Sequence, residues 1–208
     1  MNSTTIDPKK SPAIIFLDID GVLNYLPSHR EYPSDAKIIE KATEIFNKSR
    51  DALELRERVI ANSHLFSIES VKNLHHLLKK VQQLRPVQIV ISSDWRLECT
   101  TKELKDFFAN HLFSDLIIDK TPDKVYKQHC PTEPPSRGHR GHEILFWLQN
   151  HATSLTKYAI IDDCDLGISD LFDLNFVHVD GGQLLSSADC DLAYEILTQD
   201  LFPIYEKS

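Results

Sequence analysis

Residues 14–24 read IIFLDIDGVLN. Apolar residues run straight into Asp18; a second carboxylate follows at Asp20, and Gly21 comes next. An unbroken apolar run from Ala13 to Leu17 suits a strand buried on both faces, as in a parallel sheet. In extended backbone, positions i and i+2 share a face, so Asp18 and Asp20 project together while Ile19 points away. Gly21 permits a sharp turn beyond them. Two carboxylates this close repel unless a cation or a proton lies between them.

The same pattern recurs along the chain. VQIVIS (87–92), DLIID (115–119), KYAIID (157–162) and NFVHV (175–179) read as further strands. Helical periodicity fills the gaps. Ser34 and Asp35 open a long helical pattern that runs to about Ala61. Ser67, with Ser70 as the alternative cap, opens a helix whose apolar face is Val71, Leu74, Leu77, Leu78 and Val81, stopped by Pro86. Thr100 and Thr101 cap a helix carrying Leu104, Phe107, Phe108 and Leu112. Two more helices are predicted, GHEILFWLQNHA (141–152) and the C-terminal SADCDLAYEILTQDL. Residues 120–139, rich in Pro, Lys, Arg and His, read as a long loop.

Strands that alternate with helices imply right-handed βαβ units and a parallel sheet covered on both faces. Ligands of such sheets bind beyond the carboxyl ends of the strands. The polar residues gather there: Asp18 and Asp20 after the first strand, Ser92, Ser93 and Asp94 after the second, Asp162, Asp163 and Asp165 after the fourth. Any one of these groups is an ordinary turn or cap; three at one sheet edge form a constellation. A hard cation with oxygen ligands relieves so much negative charge, and Mg²⁺ fits a site of few carboxylates plus water and phosphate oxygens. These motifs hold no soft ligand except Cys164, which argues against zinc.

The chain has 208 residues, enough for one α/β domain with an insertion, and 41% of them are apolar. Lysine and arginine number 23 against 31 acids, a net charge of −8, which disfavours a dedicated nucleic-acid binder with a broad positive surface. The cysteines at 99, 130, 164 and 190 lack paired spacing and read as reduced thiols. Residues 1–12 read as a disordered lead-in. The apolar run after them is too short for a signal peptide or membrane span, so a cytoplasmic location is expected.

From about Ala13 to about Leu197 the chain resembles the haloacid dehalogenase (HAD) superfamily of aspartate-nucleophile phosphatases. LDIDGVLN is similar to the first family motif, IVISSDWR to the second and AIIDDCD to the fourth. The SSDWR and RGHEILFWL segments resemble a subgroup with an S-x-W-R second motif and an R-G-x-E-I helix, some members of which occur beside RNA-repair domains. The resemblance implies an α/β fold: a three-layer Rossmann-like core over 13–24 and 67–208, with a small helical cap inserted at 25–66. It implies that Asp18 attacks phosphorus to form an aspartyl-phosphate and that Asp20 serves as acid, then base. Mg²⁺ would be held by Asp18, the Asp20 carbonyl and Asp163, with Asp162 the alternative. Ser93, aligned through Trp95, would contact a phosphoryl oxygen in preference to Ser92.

The third motif departs from the family, because RGHRGHEI contains no lysine. Arg140 fits R-G-x-E-I best and can supply the charge and a two-pronged grip on phosphate. Lys120, Lys124 and Lys127 are the upstream alternatives, and His139 and His142 are expected to line the surface. A small cap implies an open site and a macromolecular phosphorylated substrate. The acidic balance ranks a phosphoprotein, phosphotyrosine in particular, above a nucleic acid, with Tyr25, Tyr32 and Trp95 as a frame for an aromatic phosphoester. The alternatives are a polynucleotide-end or small-metabolite phosphatase, and a HAD-fold binding protein that no longer turns over.

Overall fold

β1 (Ala13–Leu17) lies at the centre of a five-stranded sheet ordered β3-β2-β1-β4-β5, with every neighbouring pair parallel. The other strands are β2 (Val87–Ile91), β3 (Ile117–Lys120), β4 (Lys157–Asp162) and β5 (Phe176–His178). This computed structural model describes residues 11–25, 66–97, 99–109, 111–123 and 139–198. The expected cap helix, most of the lead-in and most of the 120–139 loop lie outside the described residues.

Alternation along the strands explains the layers. Ile15 and Leu17 of β1 join Ile89, Ile91 and Ile161 in one apolar cluster. That cluster takes in Leu74, Leu77 and Val81 of helix α1 (Ile68–Gln82) and Ala193 and Leu197 of helix α5 (Ser187–Thr198). Ile14 and Phe16 face the other way, with Val90 and Ile160, against Ile144, Trp147 and Leu148 of helix α3 (Arg140–His151). β1 is buried along its whole length because both of its faces are covered. Sheet and helices on both sides make the α/β, Rossmann-like architecture expected from the alternating pattern.

Local chemistry sets the helix starts. Ser67, not Ser70, caps α1, its hydroxyl accepting the Ser70 N–H at 3.2 Å. Thr100 caps helix α2 (Thr101–Phe107) in a reciprocal box with Glu103. α2 is shorter than its apolar pattern, because the backbone leaves helical geometry at Phe108. Phe108 and Phe113 then fold into the core beside Trp95, while Leu112 is left 69% exposed. β3 begins at Ile117, after a 3-10 turn over Ser114–Leu116. The one-turn helix α4 (Ser169–Phe172) is too short to show periodicity in the sequence. No helix among the described residues is long and apolar enough to cross a membrane.

Candidate functional site

The sheet register carries three strand ends to one place. Leu17 pairs with Ile91 on one side and Ile161 on the other. One residue further, the Asp18 N–H donates to the Ile161 carbonyl at 2.9 Å and the Ser92 N–H to the Leu17 carbonyl at 3.0 Å. Asp18, Ser92 and Asp162 therefore stand abreast at the carboxyl edge. They continue the face of Phe16, Val90 and Ile160, on which α3 lies.

Arg140, the first residue of α3, meets them. Its Nη1 donates to Asp162 Oδ2 at 2.6 Å and lies 3.3 Å from Asp18 Oδ1, while Nη2 donates to Asp94 Oδ1 at 3.0 Å. Asp18, Asp162 and Arg140 are 4%, 0% and 6% exposed, so these charges interact where water screens them poorly. Burial works against the guanidinium's charge, but Asp18, Asp162 and Asp94 outweigh it and hold Arg140 well above its usual value. Burial, and then the Asp18 charge, push Asp162 up; Arg140 and the Cys164 N–H, which bonds Asp162 Oδ1 at 2.9 Å, oppose the shift.

Asp20 sits on the turn that Gly21 makes at a φ of +80°. Its Oδ1 accepts from Asn24 Nδ2 at 2.8 Å and its Oδ2 from Trp95 Nε1 at 3.0 Å. Burial and the neighbouring Asp18 raise its carboxyl to about 7, although both hydrogen bonds favour the charged form. Asp20 thus has a proton to give near neutrality, beside a carboxylate that is held against arginine. That division of labour between two acids is what general acid catalysis next to a nucleophile requires.

Asp163 is set apart from this cluster by its packing. A Cβ placed on Gly21 would fall 2.1 Å from Asp163 Oδ2, and one on Gly181 would fall 2.7 Å from the same atom. The carboxylate rests against the backbone of the Asp20–Gly21 turn because neither glycine has a side chain. Ligand atoms of Asp162, Asp163 and Cys164 lie within 4.8 Å of one another. Burial and the flanking acids push the Cys164 thiol up to about 12, so the carboxylates are the donors this group offers at neutral pH. An excess of carboxylate oxygens over cations, with one donor held in a glycine cradle, fits a hard divalent ion.

A family model described as the HAD domain in Swiss Army Knife RNA repair proteins matches residues 14–190. The chain belongs to the HAD superfamily. No curated protein and no solved structure matches it. Membership supports a hydrolase of the phosphatase type, and HAD enzymes generally use Mg²⁺.

The structure brings together Asp18, Asp20, Asp162 and Arg140 among the residues singled out in the sequence. The two serines separate. Ser92 is in register with Asp18, and its buried Oγ has no hydrogen-bond partner among the described residues. Ser93 turns its hydroxyl to the Trp95 N–H, at 3.4 Å. Lys120 is no stand-in for the third-motif lysine, because its Nζ donates to the carbonyls of Arg96 and Cys99, both at 2.7 Å. Lys124, Lys127 and Tyr32 lie outside the described residues.

Two surface expectations are corrected. His139 is buried at 9% exposure, under the start of α3, while His142 is half-buried. Trp95, at 2% exposure, frames no opening; it packs edge-on to Phe107 and stacks with Phe108, and its polar edge holds Asp20.

Asp94 was placed at this edge without a role, and Arg96 and Glu143 were missed. Arg96 Nη1 donates to the carbonyls of Ser92 at 3.0 Å and Ser93 at 2.8 Å, and Nη2 forms a buried ion pair with Glu143. The signal was present: Arg96 closes the S-x-W-R motif and Glu143 supplies the acid of R-G-x-E-I.

Proposed function

We propose that the chain is a Mg²⁺-dependent phosphomonoesterase that removes a phosphoryl group from an RNA end through an aspartyl-phosphate on Asp18. The observation that carries this reading is the pairing of Asp18, 3.3 Å from the Arg140 guanidinium, with a second carboxyl, Asp20, raised to about 7. One oxygen of Asp18 attacks phosphorus as the bond to the leaving oxygen breaks, and Asp20 gives that oxygen its proton. The Asp20 carboxylate then takes a proton from water as the water oxygen attacks phosphorus. Phosphate leaves, and both carboxyl groups return to their starting states.

Arg140, already beside Asp18, offers planar donors to phosphoryl oxygens in the role the family gives to lysine. Ser92 replaces Ser93 as the proposed phosphoryl contact, on its register with Asp18 and its unused hydroxyl. Asp18, the Asp20 carbonyl and Asp163 are the proposed Mg²⁺ ligands; Asp162, whose oxygens are taken by Arg140 and the Cys164 N–H, serves the ion indirectly. Bound Mg²⁺ supplies charge neutralisation between the substrate anion and these acids.

The family's description as a domain of RNA repair proteins supports RNA over the phosphoprotein favoured by the net charge. A net charge of −8 describes the whole surface and leaves a local cationic groove open. The test is a Mg²⁺-supplemented screen of 3′- and 5′-phosphorylated oligoribonucleotides against phosphotyrosine peptides. Release of phosphate from an oligonucleotide end at higher kcat/KM is expected. Preference for the peptides returns the substrate to a phosphoprotein, and no turnover of any phosphomonoester defeats the enzyme reading.

A further inference from the structure

We propose that the buried Arg96–Glu143 ion pair is a positioning device that sets Arg140 against Asp18, a role that rests on the phosphatase reading above. Arg140 is poorly placed by local chemistry. It is a cation in the first turn of a helix, where the backbone dipole favours an anion. Glu143, one turn along the same face, satisfies that preference and is 5% exposed. Burial raises its carboxyl, and Arg96 is the strongest influence holding it charged.

The contacts close into a ring. Arg140 Nη2 donates to Asp94 Oδ1 at 3.0 Å, and Arg96 Nη1 lies 3.3 Å from the same oxygen. Arg96 Nη2 binds Glu143, and two residues of α3, Gly141 and His142, lead from Glu143 back to Arg140. Arg96 also holds the Ser92 and Ser93 carbonyls, and Lys120 Nζ anchors the Arg96 carbonyl at 2.7 Å. The ring therefore ties the end of β2, where Ser92 stands, to the start of α3, where Arg140 stands. Neither Arg96 nor Glu143 touches Asp18, so each acts through a neighbour.

A buried ion pair adds little net stability over apolar residues of equal volume, whereas loss of one partner leaves an uncompensated charge. That asymmetry separates a positioning role from a structural one. Glu143→Gln keeps the volume and an acceptor for Arg96. It is expected to lower kcat on p-nitrophenyl phosphate about tenfold, a fraction of the roughly hundredfold that a 1 Å misplacement costs. KM should stay within about twofold, while the urea midpoint falls because the buried Arg96 loses its counter-charge. In an Arg140→Lys background the same substitution should produce little further loss, because the cation it positions is already changed.

Arg96→Met with Glu143→Leu provides the second variant, expected to keep the fold while losing kcat. Full kcat in either folded variant, or losses that multiply fully with Arg140→Lys, would overturn the proposal and leave the phosphatase reading intact. Failure of wild-type protein to hydrolyse any phosphomonoester would remove both.

Discussion

Gly141→Ala tests how the start of α3 is seated. A Cβ at this position would lie 2.2 Å from the Gly167 carbonyl oxygen and 2.8 Å from the Gly167 carbonyl carbon. Ordinary contact begins near 3.4 Å, so either α3 or the 166–168 loop must yield by about 1 Å. Neither neighbour is a flexible side chain. Gly167 is held at a φ of +75°, and the Ile168 N–H donates to the Asp165 carbonyl at 2.7 Å. Two effects of opposite sign act on stability. Alanine gains up to about 1 kcal/mol over glycine in a helix, whereas overpacking costs about 1–3 kcal/mol. The net expectation is a loss of roughly 0–2 kcal/mol, read as a fall in urea midpoint. Activity should suffer more, because Arg140 is the adjacent residue. A displacement near 1 Å at the phosphoryl contact costs on the order of a hundredfold in kcat. Steady-state hydrolysis of p-nitrophenyl phosphate and urea unfolding, measured on one preparation, separate the two. A variant stabilised by about 1 kcal/mol with undiminished kcat would show that α3 is not seated against the Gly167 carbonyl.

Asp18→Asn should abolish turnover and the acid-stable phosphoenzyme seen on rapid quench; retained activity would remove Asp18 as nucleophile. Ser92→Ala should lower kcat/KM about tenfold, the worth of one hydrogen bond of roughly 1.4 kcal/mol, with Ser93→Ala the milder change. The reverse order would return the phosphoryl contact to Ser93. Asp20 must be protonated to act as acid, so kcat/KM should fall as pH rises through about 7. Trp95→Phe removes a donor that favours the charged carboxylate, and that alkaline limb should move up by about one unit. A limb that stays put or moves down would detach it from Asp20. Chelation should abolish activity, and Mg²⁺ should restore it better than Zn²⁺, since Cys164 remains a thiol at neutral pH.

The sheet was readable because its central strands, β1, β2 and the end of β4, are short apolar runs whose burial on both faces leaves no other use for them. Ser67 and Thr100 were readable because a cap is a local hydrogen bond. The end of α2 was not: Phe107, Phe108 and Leu112 fit a helical face, but the packing of Phe108 against Trp95 and Phe113 turns the chain earlier. Asp18, Asp20 and the acids at 162 and 163 could be placed at one edge by strand alternation alone. The burial of Arg140 could not, since it depends on carboxylates from three strand ends that meet only in the folded sheet. Trp95 was misread for a related reason. An aromatic residue beside a polar motif looks like a rim, yet its ring fills the core while its N–H reaches Asp20.

The position of β1 at the middle of the sheet bears on how the protein fails. The Asp18 and Ser92 amides are donors in the innermost ladders, to Ile161 and Leu17, and no edge strand separates them from the core. Fraying of β3 or β5 leaves those bonds intact, so these amides should exchange with deuterium at the rate of global unfolding. Loss of activity in denaturant should then coincide with loss of structure, where a site on a peripheral loop would lose activity first. In this fold the proposed nucleophile, Asp18, belongs to the last segment to open.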